Sequence, residues 1–258
     1  MTTPFESRKG RSRLDQTQVS CAEISPQAPP SIHESSRRRF LQMSVPGMVA
    51  GLVGAAAMEF TPSPLLAQSK LSPDAALQEL IDGNRRFTSG RLTAFEQDLA
   101  ILKQNTIEKQ EPFAAVLSCA DSRVPVELIF DQSIGHIFVT RVAGNVVTPE
   151  IIASLEYGAA ALGTKAILVM GHGGCGAVKA TIQAKEVPGQ ISALYPHIQP
   201  AVDQAGSNLE AAIKANAKIQ AALLRESSTV VSGLVKESKL KVVAAYYDLA
   251  SGSVTLLD

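Results

Sequence analysis

Two cysteines and one histidine stand in a pattern that suits metal chemistry. His172 and Cys175 are separated by two residues within Gly171-His172-Gly173-Gly174-Cys175-Gly176, and a tight glycine turn at that spacing can aim both side chains at one ion. Cys119 is distant in the chain but offers a third soft ligand, and two thiolates with an imidazole suit zinc. Three protein ligands leave a tetrahedral ion one open position. An open position marks a catalytic site, whereas closed structural sites take four protein ligands. The alternative is a disulfide between Cys119 and Cys175, reasonable in an exported chain, but it leaves His172 and the surrounding glycines without a task.

Asp121 follows Cys119 by two residues, and Arg123 follows Asp121 by two more. That spacing permits a bidentate pair, which keeps the carboxylate ionised and oriented. On an open surface the same Asp-x-Arg pattern is an ordinary ion pair worth about 0–1 kcal/mol. Its place beside Cys119 favours function, with Asp121 accepting a hydrogen bond from the reacting solvent molecule.

These residues need elements to position them. Ser72-Pro73-Asp74 is a helix-start signature, and the apolar positions Leu77, Leu80, Ile81 and Phe87 predict a helix to about Gly90. Strand-length apolar runs follow at Phe113 to Leu117, His136 to Val142, Ala166 to Gly171 and Lys241 to Tyr247. Thr148-Pro149-Glu150 opens an intervening helix that Gly163 can end, and Ser207 with Glu210 reads as a capping box for another. The alternation predicts an α/β fold, a mainly parallel sheet of four to five strands flanked by helices, with Val254 to Leu257 as an edge strand. Ala166 to Met170 reads as central, because strands buried on both faces are continuously apolar. Ligands bind beyond the carboxyl ends of strands in open α/β sheets. Cys119 and His172 follow two such ends, so they can converge.

The chain has 258 residues with 24 Lys+Arg against 24 Asp+Glu. That balance, with no run of like charge, argues against nucleic acid as a partner. Residues 1–35 carry no helical or strand period and read as a disordered extension. Ser36-Arg37-Arg38-Arg39-Phe40-Leu41-Gln42 then precedes 19 uncharged residues, Phe40 to Met58, rich in Gly and Ala. This resembles a twin-arginine export signal over 36–67, cut near Ala67, which predicts the translocation machinery as a transient partner. The expected destination is the periplasm, or the thylakoid lumen in a photosynthetic source, with a membrane tether if the signal stays uncut. A spanning anchor is the alternative, weakened by Pro46, Gly47, Gly51 and Gly54. The functional domain is then 68–258.

Cys119-Ala120-Asp121-Ser122-Arg123-Val124-Pro125 and Gly171-His172-Gly173-Gly174-Cys175-Gly176 together resemble the active-site signature of β-class carbonic anhydrases, and the resemblance runs from about Ser72 to Leu257. It implies reversible hydration of carbon dioxide to bicarbonate and a proton, with one Zn2+ per subunit on Cys119, His172 and Cys175. It also implies that Asp121 and Arg123 form the adjoining catalytic pair. Gln110, Phe138, Tyr157 and Gly176 fall where the plant-like branch of the family places residues lining the substrate pocket. The counterpart of Gln110 reaches the neighbouring subunit's pocket, which implies a homodimer or higher homo-oligomer. The branch with a non-catalytic bicarbonate site is typified by a Trp, and this chain has none. Two alternatives stand beside this reading: hydrolysis of CS2 or COS on the same scaffold, and a secreted binding module linked by a disulfide. Zinc lowers the pKa of water to about 7 in the three-histidine carbonic anhydrase site. Two thiolates donate more charge, so activity is expected to rise with pH on the alkaline side of neutrality.

Overall fold

The computed structural model describes residues 69–94 and 110–257. The expected disordered extension over 1–35 and the expected export signal over 36–67 lie outside the described residues. Helix α1 (Pro73–Thr88) starts as its sequence dictates, with Ser72 Oγ accepting the Ala75 N–H at 3.2 Å and Pro73 at the first position. Strands β1 (Ala114–Ser118), β2 (Ile137–Arg141), β3 (Ala166–His172) and β4 (Lys241–Tyr247) pair in parallel, and β5 (Val254–Leu257) runs antiparallel to β4. The five-stranded order is β2-β1-β3-β4-β5.

β1 and β3 are buried at every position, as continuous apolar runs require between two covered faces. Alternate side chains serve opposite layers. Val116, Leu168 and Met170 pack with Leu80, Ile129 and Phe130, which belong to α1 and to α2 (Val126–Ile129) with its cap. Leu117, Ile167 and Val169 pack with Leu155 of α3 (Pro149–Glu156) and with Ala217 and Leu224 of α6 (Leu209–Ser227). α3 runs on into a π turn at Tyr157–Ala161, and Gly163, at φ +76°, takes the chain out of it. The remaining α-helices among the described residues are α4 (Gly176–Ile182), α5 (Tyr195–Ala205) and α7 (Thr229–Lys236), with 3-10 turns at Ala143–Asn145 and Ile191–Leu194.

One expected cap moves. Asn208, not Ser207, caps α6, its side-chain oxygen accepting the Ala211 N–H at 3.0 Å. Glu210 bonds Lys214 one turn further on instead of reaching back. An Asn one residue nearer the helix satisfies an orphan donor of the first turn, the Ala211 N–H, so the box is unnecessary.

The strand order creates the crevice that matters. β1 leads to its neighbour β2 on one side and β3 to its neighbour β4 on the other, so the connections leaving their adjacent carboxyl ends part in opposite directions. Such a reversal is where open α/β sheets place ligands.

Candidate metal centre

Cys119 leaves the end of β1, His172 is the last residue of β3, and Cys175 is the cap residue of α4. Ser118 lies level with Met170 across the β1/β3 pair, which brings Cys119 and His172 to the same rim of the crevice. Gly174, at φ +65°, makes the turn that returns Cys175 toward His172. The two Sγ atoms and a histidine ring nitrogen all lie within 4.8 Å of one another, and all three residues are buried.

The histidine is set to act as a ligand. His172 Nδ1 lies 3.0 Å from the Gly173 carbonyl, which can only accept, so Nδ1 carries the proton. Nε2 is left with a lone pair, fully buried and without a hydrogen-bond partner. An orphaned acceptor in a dry site is costly, and a cation at the triad would satisfy it. Orienting a ligand imidazole through its other nitrogen is common in metal sites.

The thiols point the same way. Both cysteines are free. A hydrogen bond from Cys175 holds the Cys119 thiol far below its usual value, against the cost of burial and with help from the Gly144 N–H. Cys175, which keeps its proton to make that bond, is pushed up by it and by burial. Two thiolates this close repel each other, so holding both ionised calls for a cation between the sulfurs. Two thiolates and an imidazole make a donor set that fits zinc, and three protein ligands leave a tetrahedral ion its fourth position.

Asp121 sits at the rim with both oxygens held by Arg123, whose Nε and Nη2 donate at 2.9 and 2.7 Å, while the Arg123 backbone N–H adds 2.9 Å to Oδ1. Those bonds hold the carboxyl well below the usual range, against a smaller opposing effect of burial. Its Oδ2 is 3.9 Å from His172 Nε2. Gly176 opens α4 beside the triad, and a Cβ there would meet nothing within 4 Å, so the glycine leaves open space.

Gln110, Phe138 and Tyr157 are not brought to the triad of their own protomer. Gln110 precedes β1 and Cys119 follows it, so the two stand at opposite ends of that strand. Phe138 is level with Ala115, four residues short of Cys119, or about 13 Å at 3.3 Å per residue. Its ring lies 6.2 Å from that of Tyr157, which is 51% exposed.

Residues missed in the sequence complete the surroundings. Arg141, at the end of β2, donates from Nε to the Cys119 carbonyl at 3.0 Å and from Nη2 to the Asp121 carbonyl at 2.6 Å, clamping the segment that carries both. Its signal was a charge at the carboxyl end of a strand, the logic that placed Cys119. Val146, Val178, Ile198 and Ile213 pack around the sulfurs and keep water from that side.

A family model described as carbonic anhydrase matches residues 114–254. A carbonic anhydrase of Mycolicibacterium smegmatis is 34% identical over 193 residues, covering 72% of this chain and 93% of that protein. Among solved structures, the β-carbonic anhydrase CcaA superposes with a TM-score of 0.57 at 26% identity, over 70% of this chain and 87% of that one. A tetrameric β-carbonic anhydrase study of Sordaria macrospora supplies another, with a TM-score of 0.56 at 20% identity, over 70% and 96% of the two chains, a likeness of fold.

Proposed function

The chain belongs to the β-carbonic anhydrase family and is a carbonic anhydrase, and from that premise we propose that it works through a zinc ion held by Cys119, His172 and Cys175, in an exported compartment. The observation that carries the zinc assignment is the buried, unpartnered Nε2 of His172 facing two cysteine sulfurs. Bound zinc would supply a Lewis acid that activates a water for attack on carbon dioxide. The chain's own residues orient the participants. Gly173 sets the His172 tautomer, Arg141 holds the Cys119–Asp121 segment, and Arg123 keeps Asp121 ionised and aimed. The carboxylate is an acceptor at the rim, able to fix the orientation of the attacking oxygen. Stopped-flow CO2 hydration by the purified chain, with metal content measured on the same sample, tests this. About one zinc per subunit with fast hydration supports it, whereas turnover of CS2 or COS alone would redirect it.

We assign the pocket to two subunits. Gln110, Phe138 and Tyr157 stand away from their own triad, and Phe138 and Tyr157 form a partly exposed aromatic pair beside β2, an edge strand. Exposed aromatics at an edge suit a protein interface. A second copy could place these residues over its partner's zinc, in the manner of the plant-like branch that lacks the Trp-typified bicarbonate site. The tetrameric relative is consistent with such assembly. Activity per subunit should therefore fall on dilution in step with dissociation followed by sedimentation. Fully active monomers would overturn the shared pocket.

Export rests on Ser36 to Leu41 and the uncharged stretch to Met58. The twin-arginine route carries folded proteins, so zinc can be inserted before the chain meets an oxidising compartment. Replacing Arg37 and Arg38 with Lys should retain the full-length chain in the cytoplasm on cell fractionation. An unchanged distribution would refute the route.

A further inference from the structure

A loop 25 residues beyond Cys119 in sequence reaches its sulfur. Gly144 adopts φ +74°, and its N–H donates to Cys119 Sγ at 3.3 Å. An added Cβ would be strained at that φ and would come within 2.8 Å of Ile198 Cδ1, so the close approach depends on glycine.

Two amide side chains on α6 grip this loop from the other side. Asn216, fully buried, donates from Nδ2 to the Gly144 carbonyl at 2.8 Å. Gln220, one turn on, accepts the Val147 N–H at 2.7 Å and donates from Nε2 to the His197 carbonyl at 2.9 Å and to Asn216 Oδ1 at 3.3 Å. Both stand on a face otherwise made of Ala212, Ile213, Ala217, Ala221 and Leu224. Burying two amides on an apolar face costs stability unless their bonds are made. Here one bond from each amide reaches the segment that touches the Cys119 sulfur, at the Gly144 carbonyl and at the Val147 N–H.

We propose that Asn216, braced by Gln220, is a positioning residue for the metal centre: by holding Gly144 it keeps a backbone N–H on the Cys119 sulfur and restrains that sulfur's electron donation to a bound ion. The proposal rests on the zinc reading of the triad. Hydrogen bonds to ligand sulfurs are an established means of tuning a metal. Asn216 touches neither metal nor substrate and acts through the loop.

The test uses the full chain with Co2+ in place of zinc and reads the thiolate-to-cobalt charge-transfer absorption. In Asn216→Leu the band should move to longer wavelength, because a sulfur released from its N–H donates more readily. Asn216→Ser, which retains a small polar side chain in case leucine prevents folding, should move it the same way. An unshifted band in a folded, cobalt-loaded variant overturns the proposal. Independently, the wild-type chain loaded with 113Cd should show a scalar coupling between the metal and the Gly144 amide proton, and its absence also overturns the proposal. A wild-type chain that binds neither cobalt nor cadmium instead removes the zinc reading, and the proposal with it.

Discussion

His172→Ala should cost the protein its zinc and lower kcat/KM for CO2 hydration by about three orders of magnitude. A metal's Lewis-acid contribution is worth several kcal/mol, and each 1.4 kcal/mol is about a factor of ten in rate. Folding should largely survive, because the deletion removes a ring whose Nε2 has no protein partner, although its full burial leaves a cavity to be tolerated. The substitution also separates the metal and disulfide readings. With zinc gone, the two sulfurs, within 4.8 Å, are free to oxidise. Thiol titration after denaturation should find three thiols, Cys21 included, in the zinc-loaded wild type and the loss of two in the oxidant-treated variant. A metal-free variant with wild-type activity would remove zinc from the chemistry. An active wild type recovered with Cys119 and Cys175 joined would do the same.

Asp121→Asn should retain zinc and lower kcat by about 10- to 100-fold, the usual range for groups that orient a metal site from outside the ligand set, with little change in KM. The variant preserves shape and removes the charge that Arg123 holds through two side-chain bonds and a backbone bond. Arg123→Met should lose a similar factor by releasing Asp121, and the double variant should be no worse than either single one, because the two residues act as a unit. The pH dependence follows from the direction of the shift. Asp121 is depressed in the folded protein, first by the Arg123 hydrogen bonds. Its stabilising contribution is therefore complete above the unfolded carboxyl pKa of about 3.9 and fades only as pH falls below that value. The carboxylate stays ionised throughout the neutral range. Accordingly Asp121→Asn should lower the plateau of the activity profile without moving its neutral-to-alkaline midpoint. A midpoint displaced by a unit or more would mean that Asp121 titrates with the reaction rather than orienting it.

What could be read from the sequence was local in origin. Asp121 and Arg123 are two residues apart, and His172 and Cys175 three, so backbone geometry alone brings each pair within reach. The buried strands announced themselves because β1 and β3 must be apolar on both faces. Helices α2 and α4 were missed because four and seven residues carry too little period to recognise.

Residue type and short spacing thus determined the donor set, the Asp121/Arg123 pair and the class of sheet beneath them. Tertiary structure decided which distant groups meet that set. The order of strands joins the ends of β1 and β3, Arg141 arrives through the β1/β2 register, and Asn216 reaches Gly144 across 72 residues. Register also sets Phe138 level with Ala115, away from the sulfurs of its own protomer. The reason is physical: a side chain's chemistry is its own, but its neighbours beyond a few residues are set by pairing and packing, which belong to the whole fold.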